Sequence, residues 1–256
     1  MNKLLVILSG IFKRAGRVYG LGRNPVAQVD RQPQKRSDDF RTLTAGEVVQ
    51  LAAAAESDQD AVMFVVAAFT GLRLGELRAL TWGDVDFTKA LLHVRRSYTK
   101  GAEGLPKSGK VRSVPLIDRA ARALDGLSRR DHFTGRDDLV FCTSTGGFVD
   151  DTKLRRRYYA ALQRAGLHRI RFHDLRHVFG TIAVQAFPLS DVKAYMGHKD
   201  ISTTMVYVHH VPQHEAADRL GQVVEAATDP FAGNVSPNVS RTEENSAVLS
   251  ATRSAV

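Results

Sequence analysis

The chain has 256 residues, 43% of them apolar and 25% charged, and its 36 Lys and Arg against 27 Asp and Glu leave a formal net charge of +9. This is the balance of a globular chain long enough for one or two domains and a sizeable core, and it excludes a low-hydrophobicity disordered chain. A basic excess of this size points to a polyanionic partner, of which nucleic acid is the commonest. One cysteine, Cys142, excludes an internal disulfide and a Cys-based zinc site, and fits a reducing cytoplasm.

In chain order, the opening residues from Asn2 to about Gly16 predict an amphipathic helix. A signal peptide fits less well, because the apolar stretch is short and Lys13, Arg14 and Arg17 follow it. No run approaches the roughly 18–20 apolar residues that span a bilayer. Residues 17–41 hold Gly20, Gly22, Pro25 and Pro33, then Lys35, Arg36 and Arg41, which is the composition of a basic linker between two units. Thr44 and Glu47 have capping-box spacing ahead of Val48, Val49 and Leu51, so a helix starts there. The nearly all-apolar Ala61–Phe69 predicts a buried helix, which Thr70-Gly71-Leu72-Arg73 breaks before a short helix over Gly75–Leu80.

Two β-like runs, Leu91–Arg96 and Val111–Leu116, flank a turn containing Lys107, Gly109 and Lys110, the pattern of a small antiparallel hairpin. Asp118–Leu127 reads as helix and Leu139–Phe141 as a short strand. Asp151–Ala165 reads as a helix carrying the basic cluster Lys153, Arg155, Arg156 and Arg157. Further helices are expected at about 174–186, 190–196, 202–207 and 213–227, while 228–256, rich in Ser, Asn, Thr and Ala, is expected to be a disordered tail. The expected fold is mainly α with a small antiparallel β-sheet, an α+β domain over residues 38–227.

Three segments carry candidate chemistry. Arg73 sits at a helix break three residues before Glu76, the spacing of a helical ion pair at a place where helix ends meet anions; a purely structural pair has the same spacing. In His173-Asp174-Leu175-Arg176-His177, Asp174 is placed to cap a helix with His173 and Arg176 near its start. Tyr207 follows Gly197-His198 by nine residues from the histidine, and a lone tyrosine in such a setting also fits half-buried packing.

Taken together, Arg73, His173, Arg176, His198 and Tyr207, with the strings Thr-Gly-Leu-Arg-Leu-Gly-Glu-Leu, His-Asp-Leu-Arg-His and Gly-His followed by Tyr, resemble the tyrosine recombinase (phage integrase) family. The resemblance runs from about Leu43 to Leu220. It implies a DNA strand transferase with Tyr207 as nucleophile and a 3′-phosphotyrosyl intermediate, double-stranded DNA as partner, and no metal, ATP or other cofactor. It also implies a lysine on the hairpin, which its spacing before Arg112-Ser-Val-Pro-Leu places at Lys107 rather than Lys110.

The roles implied are a phosphate clamp from Arg73 and Arg176, with His173 as base, Lys107 as acid to the departing oxygen, and His198 as donor to a phosphate oxygen. Glu76 would orient Arg73 and His173, and His177 would support the site. Arg36, Arg41, Arg155, Arg156 and Arg157 are the expected DNA contacts. Family members carry a helical core-binding domain ahead of the catalytic one, so residues 1–37 are read as its last helix and linker. A helix at 213–227 would join subunits on DNA. The alternatives are a catalytically weak remnant that only binds DNA, a zinc hydrolase using His173 and His177 with His198, His209 or His210, and a type IB topoisomerase or telomere resolvase, which nothing in the sequence marks.

Overall fold

The computed structural model describes residues 2–32, 42–107 and 109–208. Helices dominate: α1 (Asn2–Tyr19), α2 (Ala45–Ala53), α3 (Asp58–Thr70), α4 (Leu74–Arg78), α5 (Asp118–Ser128), α6 (Asp151–Arg164), α7 (Leu175–Ala186), α8 (Leu189–Met196) and α9 (Ser202–Val208). The strands are short: β1 (Val85–Asp86), β2 (Leu91–Val94), β3 (Ser97–Thr99), β4 (Ala102–Gly104) and β5 (Arg112–Pro115). They form two antiparallel sheets, one ordered β1-β2-β5 and the other a β3-β4 hairpin.

The expected pairing of Leu91–Arg96 with Val111–Leu116 is the β2–β5 ladder, with Leu92 opposite Val114 and Val94 opposite Arg112. Leu92 and Val114 are fully buried, so the register is fixed by the face that meets the core. The strand expected at Leu139–Phe141 is absent. Leu139 makes only an isolated bridge to Thr81, and Cys142 another to Phe148; the segment beside Leu139 turns at once into a 3-10 helix at Trp82–Asp84.

Helix α3 organises the core. From Val62 to Thr70 every residue is buried, so the helix is apolar all round and needs neighbours on several sides; α2, α5 and α7 pack against it. Ser57 caps its start by accepting from the Asp60 amide, and Gly71, at φ +65, ends it. A side chain at Gly71 would meet the Phe179 ring at 2.6 Å, so the glycine lets the α3–α4 junction lie directly on α7. The capping box expected at Thr44 and Glu47 is formed in both directions, and Phe64, Tyr158 and Phe172 meet edge to face, binding α3, α6 and the turn before α7.

The N-terminal helix runs three residues further than the sequence suggested, and a 3-10 turn follows at Pro25–Gln28. Asn24 reaches back to Ser9, and Asn2 pairs with the backbone of Gln32. None of the α1 residues is buried. Arg36 and Arg41, His209 and His210, the helix expected at 213–227 and the tail expected at 228–256 lie outside the described residues. No described helix is long and apolar enough to cross a membrane.

Candidate active site

The site forms where three helix junctions meet: the break between α3 and α4, the start of α7, and the turn from α8 into α9. Arg73 occupies the N-cap position of α4. Its amide donates to Glu76 Oε2 at 2.8 Å, its Nη1 to Glu76 Oε1 at 3.0 Å, and its Nη2 to the Gly197 carbonyl at 3.0 Å. Glu76 is fully buried, and a second guanidinium grips it from the sheet: Arg112 donates through Nη1 at 2.9 Å and Nη2 at 2.7 Å, while its Nε reaches the Tyr195 carbonyl at 2.7 Å. Burial works to raise the Glu76 pKa. The hydrogen bonds and charge of Arg112, with those of Arg73, outweigh it and hold the carboxyl below its usual range. Both Glu76 oxygens are engaged by arginines, Arg73 as expected and Arg112 in addition.

Arg176 enters from α7 and is 3% exposed. It donates to the carbonyls of Gly71 and Met196. Consecutive carbonyls at the end of α8, Met196 and Gly197, therefore hold the two guanidinium groups that the sequence separates by a hundred residues. Burial, then the charge of Arg73, depresses the Arg176 pKa. The two cations therefore stand close enough for each to feel the other's charge.

His198 follows directly. Its Nδ1 lies 2.9 Å from the hydroxyl of buried Thr204, and its ring is parallel to that of Tyr207, 6.3 Å away. Burial, then the charges of Arg176 and Arg73, pushes the His198 pKa down to about 3, so the ring is neutral at pH 7. Tyr207 is 2% exposed and lies so close to Gly180 that a β-carbon there would fall 2.5 Å from its ring. Its pKa is raised to about 12 by burial, against the pull of Arg176 and Arg73. The phenol is therefore protonated at pH 7.

The histidine beside the phenol is not the one that the sequence reading placed there. The Tyr207 hydroxyl lies 3.0 Å from Nδ1 of His177, whereas His173, expected as the base, sits in the 3-10 turn Phe172–Asp174 with its ring edge-to-face to His177 at 6.2 Å. Asp174 holds the N-cap position of α7 without capping it. Its carboxylate turns back to the Arg171 amide at 2.9 Å and the Arg171 guanidinium at 2.8 Å, and stands 3.8 Å from His177 Nε2.

Lys107 is exposed on the loop joining β4 to β5 and makes no hydrogen bond or ion pair among the described residues, so the structure does not bring it into the cluster. Of the basic run on α6, Arg155 is exposed and pairs with Asp151 at 3.2 Å. Arg156 and Arg169 line an open concavity with Tyr159. Arg157 corrects the expectation of a DNA contact: its Nε and Nη2 are bound to the buried carboxylate of Asp60 at 2.5 and 2.9 Å, because Asp60 cannot be left buried and unpaired. Arg112 and Thr204 are the site residues that sequence reasoning missed. Among the described residues no group of three or more His, Cys, Asp or Glu is placed to hold a metal ion.

A helical domain with a small antiparallel sheet, presenting two arginines, a histidine and a tyrosine at three helix junctions, defines the class of protein. The phage integrase family profile matches residues 41–214, and the chain belongs to that family. Among curated proteins it is 28% identical to a tyrosine recombinase XerC-like protein of Caldanaerobacter subterraneus subsp. tengcongensis, over 77% of this chain and 56% of that one. It is 32% identical to tyrosine recombinase XerC of Corynebacterium efficiens, over 65% and 52%. The chain thus spans about half the length of the curated relatives it matches. Its fold is shared with the Tn1549 transposon integrase in complex with transposon right end DNA, at TM-score 0.66, 20% identity and coverage of 87% of this chain and 78% of that one. It is also shared with a lambda integrase dimer bound to a COC′ core site, at TM-score 0.60, 22% identity, 79% and 70%.

Proposed function

We propose that this chain is the strand-cleaving domain of a site-specific DNA recombinase that acts on the ends of a mobile element. Tyr207 is the nucleophile and double-stranded DNA the substrate. One observation carries the reading: Arg73 and Arg176 are pinned by adjacent carbonyls beside His198, and both charges are felt by the Tyr207 phenol. The mobile-element part is supported by the likeness in fold to a transposon integrase and a phage integrase.

A phosphodiester carries one negative charge that repels nucleophiles, and attack raises the charge on its non-bridging oxygens. Two planar, always-charged guanidinium groups answer that need, each able to hold two oxygens, and loss of one such preorganised donor typically costs about 3–4 kcal/mol of transition-state stabilisation. His198, neutral with Nδ1 on Thr204, keeps Nε2–H as a donor to a third oxygen. Tyr207 Oη forms a bond to phosphorus as the P–O5′ bond breaks. The phenolic proton passes to a base, and the departing oxygen takes a proton from Lys107 once DNA draws the loop in. The reverse attack by a 5′-hydroxyl reseals the strand, because the phosphotyrosine keeps the energy of the broken bond. Arg155 and Arg156 supply phosphate contacts along α6, and Arg36 and Arg41 further ones from the linker. Self-association on DNA is assigned to the segment at 213–227.

The test is incubation with a pool of nicked suicide duplexes, from which the cleaved end diffuses away, followed by a denaturing gel. A covalent protein–DNA adduct is expected, and Tyr207→Phe is expected to abolish it. An adduct that persists in that variant reassigns the nucleophile, and no adduct from the unaltered chain favours a protein that binds DNA without cutting it.

A further inference from the structure

We infer that His177 is the catalytic base that takes the Tyr207 proton, and that Asp174 is the positioning residue that selects the tautomer able to do so. This rests on the strand-cleaving reading and names the group that activates its nucleophile, a role the sequence motif had suggested for His173.

The geometry places three groups side by side, with the imidazole between the carboxylate and the phenol. Asp174 and His177 lie three residues apart at the start of α7, and Tyr207 meets them from α9, which packs on α7. Nε2 of His177 faces the Asp174 carboxylate at 3.8 Å, and Nδ1 faces Tyr207 Oη at 3.0 Å. A neutral imidazole holds one hydrogen, and a nearby carboxylate favours the tautomer that keeps it on the nitrogen facing that carboxylate. The opposite nitrogen, Nδ1, then presents a lone pair to the phenol O–H, at a distance suited to general-base catalysis.

Asp174 is itself held as a carboxylate. Burial works against ionisation, but the hydrogen bonds and charge of Arg171 outweigh it and keep the pKa below the usual range. The glycine at 180, one turn further along α7, lets the Tyr207 ring lie flush against the helix, so the pairing is set by backbone packing rather than by two flexible side chains.

The charged and titratable groups around His177 set its protonation. Burial lowers its pKa to about 4; Asp174 opposes this, while His173, Arg176 and Arg171 add to it, and among the described residues His198 and Tyr207 also lie beside it. At pH 7 the free protein therefore holds His177 neutral and ready to accept. An arriving phosphodiester brings negative charge against the same cluster and raises the basicity of His177 as it is needed. During attack the Oη–H bond breaks as the Oη–P bond forms, the proton moves to Nδ1, and the resulting imidazolium is stabilised by Asp174. In resealing, the 5′-hydroxyl attacks phosphorus as its proton passes to the Lys107 amine, the Oη–P bond breaks, and the proton on Nδ1 returns to the departing phenolate, so His177 and Lys107 both end unchanged.

Two measurements test this on the full chain. The first is the rate of adduct formation on an ordinary suicide substrate and on one whose 5′-bridging oxygen at the scissile phosphate is sulfur, a leaving group that departs without a proton. His177→Ala and His177→Gln are expected to slow cleavage by about 10²–10⁴-fold, with DNA binding retained, and sulfur is expected not to restore them, whereas it restores Lys107→Ala. Asp174→Asn is expected to shift the pH profile of cleavage, which a purely structural role would leave in place. Wild-type rates in both His177 variants while Tyr207→Phe forms no adduct overturn the inference and leave the strand-cleaving reading standing. No adduct from the unaltered chain overturns both.

The second measurement needs no activity and serves if the variants fold poorly. Nitrogen NMR of the unaltered chain at pH 7 is expected to show His177 with Nδ1 unprotonated and Nε2 protonated. The opposite tautomer overturns the inference.

Discussion

The helix-junction cluster and the loop between β4 and β5 handle positive charge in opposite ways. In the cluster each guanidinium has fixed acceptors: Arg73 on Glu76 and Gly197, Arg112 on Glu76 and Tyr195, Arg176 on Gly71 and Met196. On the loop, Lys107 is exposed and without an ionic partner among the described residues. A buried cation costs several kcal/mol of desolvation unless acceptors surround it, so the cluster has to be built when the protein folds. A solvated lysine costs nothing to keep and is ordered when a substrate orders it. On the proposed reading, the groups that would stabilise charge on phosphorus are preorganised, while the proposed proton donor stands on an exposed loop.

The largest effect that distinguishes the two regions is expected at Glu76. Its replacement in Glu76→Ala leaves Arg73 and Arg112 facing each other without their shared carboxylate, and breaking a buried pair in this way typically costs about 3–5 kcal/mol. Urea denaturation measures it. A loss under about 1 kcal/mol would mean that the cluster is solvated much as the loop is, and the contrast would fail.

Acid should act on the cluster next. His177 and His198 have pKa values lowered to about 4 and about 3, in each case chiefly by burial and against an ordinary value of 6.5. Between pH 6.5 and about 4 the unfolded chain binds protons that the folded chain refuses. Stability therefore falls as pH falls through that window, by up to about 1.4 kcal/mol per pH unit for each proton of difference. The loss of His177 levels off below about 4, where the folded state also takes the proton. Glu76 and Asp174, whose pKa values are lowered in the folded state, extend the loss to lower pH with the same sign. Urea midpoints from pH 7 to 4.5 are expected to decline less steeply in His198→Gln than in the unaltered chain, and an equal slope would mean that His198 titrates as a solvated group.

Much of this was legible in the residues. The capping box at Thr44, the all-apolar run of α3 and the β2–β5 pairing follow from spacing and periodicity, which act locally, whereas the set Arg73, Arg176, His198 and Tyr207 is implied by the resemblance to a family. What the sequence hid is what depends on contacts between distant segments. Arg112 shares the face of β5 with buried Val114, and an arginine on an inward face calls for a carboxylate, but nothing local says that it is Glu76. Thr204 stands one turn before Tyr207, on the same side of α9 and likewise buried, the one sign that it belongs to the site. Arg157 misled because a basic run on a helix reads alike whether its members face solvent or a buried aspartate such as Asp60. His173 lies one turn before Arg176 and His177 directly after it, and only the packing of α9 on α7 decides which of them meets the phenol.

The smallest expected effect on stability, and the sharpest on the comparison, belongs to Lys107→Ala. An exposed side chain without fixed partners contributes within about 0.5 kcal/mol to folding, so its urea midpoint should match that of the unaltered chain, and so should its affinity for DNA apart from one phosphate-scale charge. Cleavage of an ordinary suicide substrate should nonetheless fall by about 10²–10⁴-fold, the range for a lost general acid. Arg176→Lys should show the converse pattern, losing stability together with cleavage, because an ammonium cannot reach the Gly71 and Met196 carbonyls in one plane as the guanidinium does. If Lys107→Ala cleaves normally and Lys110→Ala does not, the acid moves three residues along the same loop. Both lysines lie on the segment that leads into Arg112 and its anchored strand.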